Sequence, residues 1–157
     1  MVLVNLNTDT IVSNIWNNFY SLIDDNVNSV TIYGSGGPDT KTVIIQGVSS
    51  SFPDNILEDS SKYPLITIYT PTLDEVETTF RANETNATIE IEVLTTQAEA
   101  ADKFLDLINK TIRDNEANLR EVGIEELYLT DTVADQFTRG GAKIHSRKAV
   151  WGFKAFV

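Results

Sequence analysis

Apolar residues near the start of the chain recur three and four positions apart: Ile11, Val12, Ile15, Trp16, Phe19, Leu22 and Ile23. That spacing lines one face of a helix, so the pattern predicts a helix from Asp9 to Asp25 with Thr8 or Asp9 at its cap. The period then changes. Ser29 to Tyr33 and Lys41 to Gln46 read as two strands, and Gly34-Ser35-Gly36-Gly37-Pro38-Asp39 between them reads as a hairpin loop. A polar stretch, Ser49 to Lys62, leads to an apolar run at Leu65 to Tyr69 bounded by Pro64 and Pro71, which predicts a buried strand. Val76, Thr78 and Phe80 alternate with Glu77, Thr79 and Arg81. Ala87, Ile89, Ile91 and Val93 alternate with Thr88, Glu90 and Glu92. Both patterns predict half-buried strands of an antiparallel sheet, with Glu90 and Glu92 on the wet face of the second.

The next segment carries the strongest helical signal. Thr96 and Glu99 have the spacing of a capping box, and Ala101, Phe104, Leu105, Ile108 and Ile112 form a single apolar stripe. The helix is expected to run on towards Arg120, with Gly123 as its stop. Strands near Leu127 to Val133 and Lys143 to Val157 close the chain. In the last, Ala149, Trp151, Phe153, Ala155 and Val157 share one face, and Lys148 and Lys154 lie on the other. The order helix, strands, helix, strands predicts an α+β fold: one domain over residues 1–157, with two main helices packed on one face of an antiparallel (mixed) sheet.

Composition narrows the classes without choosing among them. A chain of 157 residues, 41% hydrophobic, can bury a core without disulfides or metals. The absence of cysteine excludes disulfides, thiol catalysis and thiolate metal sites. No apolar run approaches the ~20 residues that span a bilayer, so no membrane partner is expected. Met1 to Asn7 has no basic leader, so no signal peptide is expected and synthesis is assigned to a cytoplasm.

Charge is more informative in its distribution than in its total of -11. Up to Phe80 there are ten acids and two bases, and from Arg81 to Thr138 thirteen acids and five bases. From Arg139 onward there are five bases, Arg139, Lys143, Arg147, Lys148 and Lys154, and no acid. An acidic body repels nucleic acid in general, while a basic terminal strand gives copies of the chain complementary surfaces. The simpler reading, of equal weight, lays that strand across acidic strands of its own sheet.

Catalytic patterns are weak. His145 is the only histidine and sits beside Arg147 and Lys148, as a strand surface residue would. The glycine loop from Gly34 does not match G-x-x-x-x-G-K-[ST] and precedes no helix, so it reads as a turn. Adjacent acids at Asp24-Asp25, Glu58-Asp59, Asp74-Glu75 and Glu125-Glu126 have no metal-loop spacing and read as solvated surface. Trp16 and Phe19 read as core. Trp151, Phe153 and Phe156, interleaved with bases, could stack on single-stranded nucleic acid, a reading the acidic body disfavours.

Six segments together carry a family resemblance: the helix near Ile11 to Ile23, Pro64-Leu65-Ile66-Thr67-Ile68-Tyr69, Thr88 to Leu94, the helix after Thr96, Gly123-Ile124, and His145 to Val157. In their order and wording they resemble phage tail terminator and head-to-tail completion proteins. Ser49 to Lys62 has no counterpart in that pattern. The resemblance implies a structural virion protein rather than an enzyme, without cofactor or metal. It implies a homo-oligomeric ring, a hexamer, at the head-tail interface, binding the tail tube protein on one side and a head completion or connector protein on the other. DNA would pass through without specific binding. On that reading Arg139, Lys143, Arg147, Lys148, Trp151 and Lys154 are the candidate interface, and Glu90 and Glu92 the candidate lumen residues. The alternatives are an accessory tail tube or baseplate subunit and a small metal-dependent hydrolase built on clustered carboxylates.

Overall fold

The structure is a computed structural model and describes residues 1–33, 39–51, 60–74, 84–139 and 141–157. Its first helix, α1, spans Ile11–Asn26 and buries Ile15, Phe19, Leu22 and Ile23, the stripe predicted from spacing. Neither Thr8 nor Asp9 caps it. The Asn7 side chain instead accepts hydrogen bonds from the Asp9 and Thr10 amides at 3.2 and 3.0 Å, turning the chain into the helix. Two polar residues share the buried face. Asn18 exchanges bonds with both backbone groups of Val4, at 2.7 and 2.9 Å, and Asn14 donates to the Asn5 carbonyl at 3.2 Å. They fasten the N-terminal segment to the helix, and the same bonds satisfy their own buried amides.

Strands β1 (Ser29–Ile32) and β2 (Lys41–Ile44) form the expected antiparallel hairpin, with the loop from Gly34 to Pro38 outside the described residues. The main sheet has the order β3-β4-β6-β8-β7, with short β5 (Thr72–Leu73) pairing β6 beside it. Here β3 is Gly47–Ser49, β4 Leu65–Ile68, β6 Glu84–Thr95, β7 Ile124–Arg139 and β8 Ala142–Phe156. All pairings are antiparallel except β3 with β4, which makes the sheet mixed. Much of the polar stretch before β4 and the strand predicted at Val76 to Arg81 lie outside the described residues.

The second helix, α2, covers Ala98–Asp114. A break at Asn115 separates it from a short α3, Glu116–Glu121. The expected capping box does not form. Thr95 rather than Thr96 receives the Gln97 amide, at 3.3 Å. Glu99 reaches sideways to the Tyr33 amide at 3.2 Å and to Lys103 at 3.3 Å, while Lys103 donates to the Thr31 carbonyl at 2.6 Å. Those bonds tie the β1–β2 hairpin to α2, a tertiary use of the carboxylate that displaces the local one. After α3, Gly123 adopts φ +104 and donates to the Arg120 carbonyl at 3.1 Å. A Cβ there would lie 2.3 Å from the Phe156 carbonyl oxygen, so this stop admits only glycine.

One core joins both helices to one face of the sheet, making a single α+β domain. Ile66, Ile68, Ile89, Ile91, Val93, Ala149, Trp151 and Phe153 meet α1 and α2 from below. Trp151 is wholly buried, donates its indole N–H to Asn109 on α2 at 3.0 Å, and lies 5.2 Å below the Arg113 guanidinium. It is therefore core and not an interface residue. Period-2 alternation puts it on the helix-facing side, where α2 closes over it.

Candidate assembly surface

Among the described residues no α-helix packs over the opposite face of the sheet, and of the residues singled out from sequence it holds Glu90, Glu92, Lys148 and Lys154. Cross-strand register places Glu84, Glu90, Glu92 and Leu94 of β6 on this face with Ile144, Ser146, Lys148 and Lys154 of β8. Leu65, Thr67 and Tyr69 extend it on the β4 side.

Glu90 is half-exposed and lies 3.7 Å from Lys148. Glu92 differs, and the expectation that both carboxylates face water or a lumen is corrected: Glu92 is only 6% exposed. The Tyr69 hydroxyl donates to one of its oxygens and the Ser146 hydroxyl to the other, while Lys148 lies 5.6 Å above the Tyr69 ring. Burial, then the hydrogen bond and charge of Glu92, push the Tyr69 phenol well above its ordinary 10.0. The carboxylate thus clamps β4, β6 and β8 together. Alternation predicted the face correctly, but the occlusion comes from Tyr69 and Ser146, on strands remote in sequence.

The basic terminal strand is engaged largely within its own chain. Arg147, on the helix side, pairs with Asp102 of α2 at 2.6 Å. Lys154 bridges Glu84 at 3.0 Å and Glu126 at 3.3 Å, which raises its pKa. Lys148 has Glu90. Their charges are therefore met by acids of the same chain. Lys143 is exposed and makes no ion pair among the described residues, and the Arg139 side chain lies outside them. His145 has its pKa lowered below 6.5, first by burial and then by the charges of Lys143 and Arg147, with Asp102 opposing.

What sequence reasoning missed is the reach of β7. A strand of seven residues was expected, and sixteen are found, because β8 continues as its partner to Ala142. Near its start the register shifts twice and Glu126 adopts φ 54. These irregularities bring the Tyr128 ring over Gly152, where a Cβ would meet it at 2.4 Å. Beyond them the register is regular for nine successive pairs, from Asp131 with Val150 to Arg139 with Ala142. Residues 130–136 of this half are all exposed, on both faces. At its tip Phe137 and Ala142 pack on a second small cluster of Tyr63, Leu65, Leu94 and Ile144. The signal was in the sequence: from Leu127 to Thr138 there is no Lys, Arg, Pro or Gly to end or guard a strand.

Across the sheet, an open groove of about 300 Å³ separates β2 from the Tyr63-Pro64 approach to β4, and Thr95 lies in its lining. Lys41 lines it as well, and Lys62 stands next to Tyr63. Both lysines are exposed and make no ion pair among the described residues. No group of three or more His, Asp or Glu side chains is placed to hold a metal ion among the described residues.

No protein-family profile and no curated protein sequence matches the chain. Among solved structures, it is similar to a chain of the virion of a native gene transfer agent particle. The TM-score is 0.42 at 10% identity, over 70% of this chain and 78% of that one.

Proposed function

We propose that the chain is a structural virion protein, a tail terminator whose copies form a ring, most simply a hexamer, that caps the tail tube and meets a head completion or connector protein. The observation that carries this reading is the outer half of β7. Nine residues in regular register, about 30 Å of strand with Asp131, Asp135 and Arg139 as its charges, offer an edge that is free among the described residues. Monomeric proteins blunt such edges with lysine, proline, bulges or cover, because a bare edge templates pairing with other chains. Here the bulges stop short of the exposed part and no basic residue or proline lies from Leu127 to Thr138, as suits a strand covered in an assembly. The resemblance of the sequence pattern to tail terminators supplies the ring, its place at the head-tail interface and its two protein partners.

The same reading makes the protein a non-enzyme without metal or cofactor. Its net charge of -11 would let DNA pass without adhering, with the half-exposed Glu90 rather than the buried Glu92 as the candidate lumen residue. Electron microscopy of the purified protein, alone and mixed with tail tubes, tests the proposal. Rings seated at tube ends are expected. Copies that stack along the tube would instead make it an accessory tube subunit, and failure to bind tubes at all would remove the terminator role. A saturable rise in melting temperature with Mg²⁺, Mn²⁺ or Ca²⁺ would favour the hydrolase alternative.

A further inference from the structure

We infer that the acidic outer edge of β7 in one copy seats on the groove beside β2 of the next copy, with Asp131 and Asp135 meeting Lys41 and Lys62. The inference rests on the reading that the chain assembles with itself, and it names the two surfaces that meet.

The two surfaces are different patches of one fold: β7 ends the sheet, and the groove lies beside β2 and the approach to β4. A contact between two different patches is heterologous. Each copy then keeps one free surface of each kind until a ring closes.

Charge chooses the pairing. Asp131 and Asp135 lie on one face of β7, in register with Val150 and Ser146, and neither has an ion pair among the described residues. Lys41 and Lys62 are the only bases before Arg81, and like Lys143, Arg113 and Arg120 they have no ion pair among the described residues, whereas Lys103, Lys110, Arg147, Lys148 and Lys154 are paired. An acidic edge and a basic groove on one chain, each without an ion pair among the described residues, compensate each other between copies.

Apolar surface agrees with the charges. Val133, between the two aspartates, is 46% exposed, and Ile44, lining the groove, is 58% exposed. The contact would cover both. It also differs from the interface expected from sequence, because the basic terminal strand spends most of its charge inside its own chain.

A charge swap tests the contact. In the double variant D131K/D135K both surfaces are basic, and in K41E/K62E both are acidic. Each variant alone should fold as wild type does by circular dichroism and self-associate more weakly by about tenfold or more in sedimentation. An equimolar mixture of the two should recover association, because each variant's edge is then complementary to the other's groove. Self-association of either variant at wild-type strength, or a mixture no stronger than its parts, overturns the contact, and so does a wild-type chain that stays monomeric in solution. Capping of tail tubes by such a monomer would sustain the terminator reading without this contact. A recovered mixture that ignores tube ends would do the reverse.

Discussion

Replacing Glu92 gives the sharpest test of how this sheet is built, because the two views of the residue predict opposite results. A carboxylate facing water or a lumen can be lost at almost no cost to stability. The structure has Glu92 buried, with the Tyr69 and Ser146 hydroxyls on its two oxygens. Hydrogen bonds to a charged group contribute about 1.5–3 kcal/mol each. The cost of holding the charge out of water offsets part of that sum. Glu92→Ala should therefore destabilise the domain by about 2–4 kcal/mol, leaving two hydroxyls without an acceptor. Glu92→Gln keeps one acceptor and sets an amide N–H against the second hydroxyl, so about 1–2 kcal/mol is expected. In a domain of this size each kcal/mol lowers the melting temperature by about 2–4 °C. Urea unfolding with an unchanged slope is the assay, and a cycle pairing Glu92→Gln with Tyr69→Phe should show coupling, since the two side chains share one bond. An alanine variant within about 0.5 kcal/mol of wild type would refute the clamp.

The remaining predictions concern the core and two titrating groups. Trp151→Ala should destabilise by about 3–5 kcal/mol, as truncation of a fully buried aromatic does, whereas Trp151→Phe, which loses the bond to Asn109 and leaves a smaller cavity, should cost less, about 1–3 kcal/mol; denaturant melts separate the two. His145 should titrate below 6.5 by NMR. Its neutral form is favoured in the folded chain, so its small contribution to stability is present above pH 6.5 and fades as pH falls towards the folded value. For Tyr69 the sign is opposite: its phenol should stay un-ionised past the ordinary 10.0 in an ultraviolet titration, and its contribution, full below pH 10.0, should fade as pH rises towards the folded value.

Much of this fold was legible in one dimension. The helical stripes from Ile15 to Ile23 and from Ala101 to Ile112, the alternation from Ala87 to Val93, and the shared face of Ala149, Trp151 and Phe153 each follow from a period of 3.6 or 2. Gly123 was legible as a helix stop too, from its place after the last helical turn, although the Phe156 carbonyl 2.3 Å from any Cβ comes from the far end of the chain. These features depend on neighbours along the chain, and the sequence displays neighbours along the chain directly.

Tertiary structure decided what such features meet. Periodicity puts Glu90 and Glu92 on one face, but whether that face is wet at each position depends on Tyr69 and Ser146, brought in by pairings 23 and 54 residues away. Glu99 had capping-box spacing and was drawn instead to Tyr33, 66 residues earlier. The bases of the last strand were visible as a cluster, but their acids came from α2, β6 and the bulged start of β7. The reach of β7 was decided in the same way: a strand runs as far as its partner does, and β8 continues as its partner to Ala142. Local pattern fixes which way a side chain points, and packing fixes what it finds there.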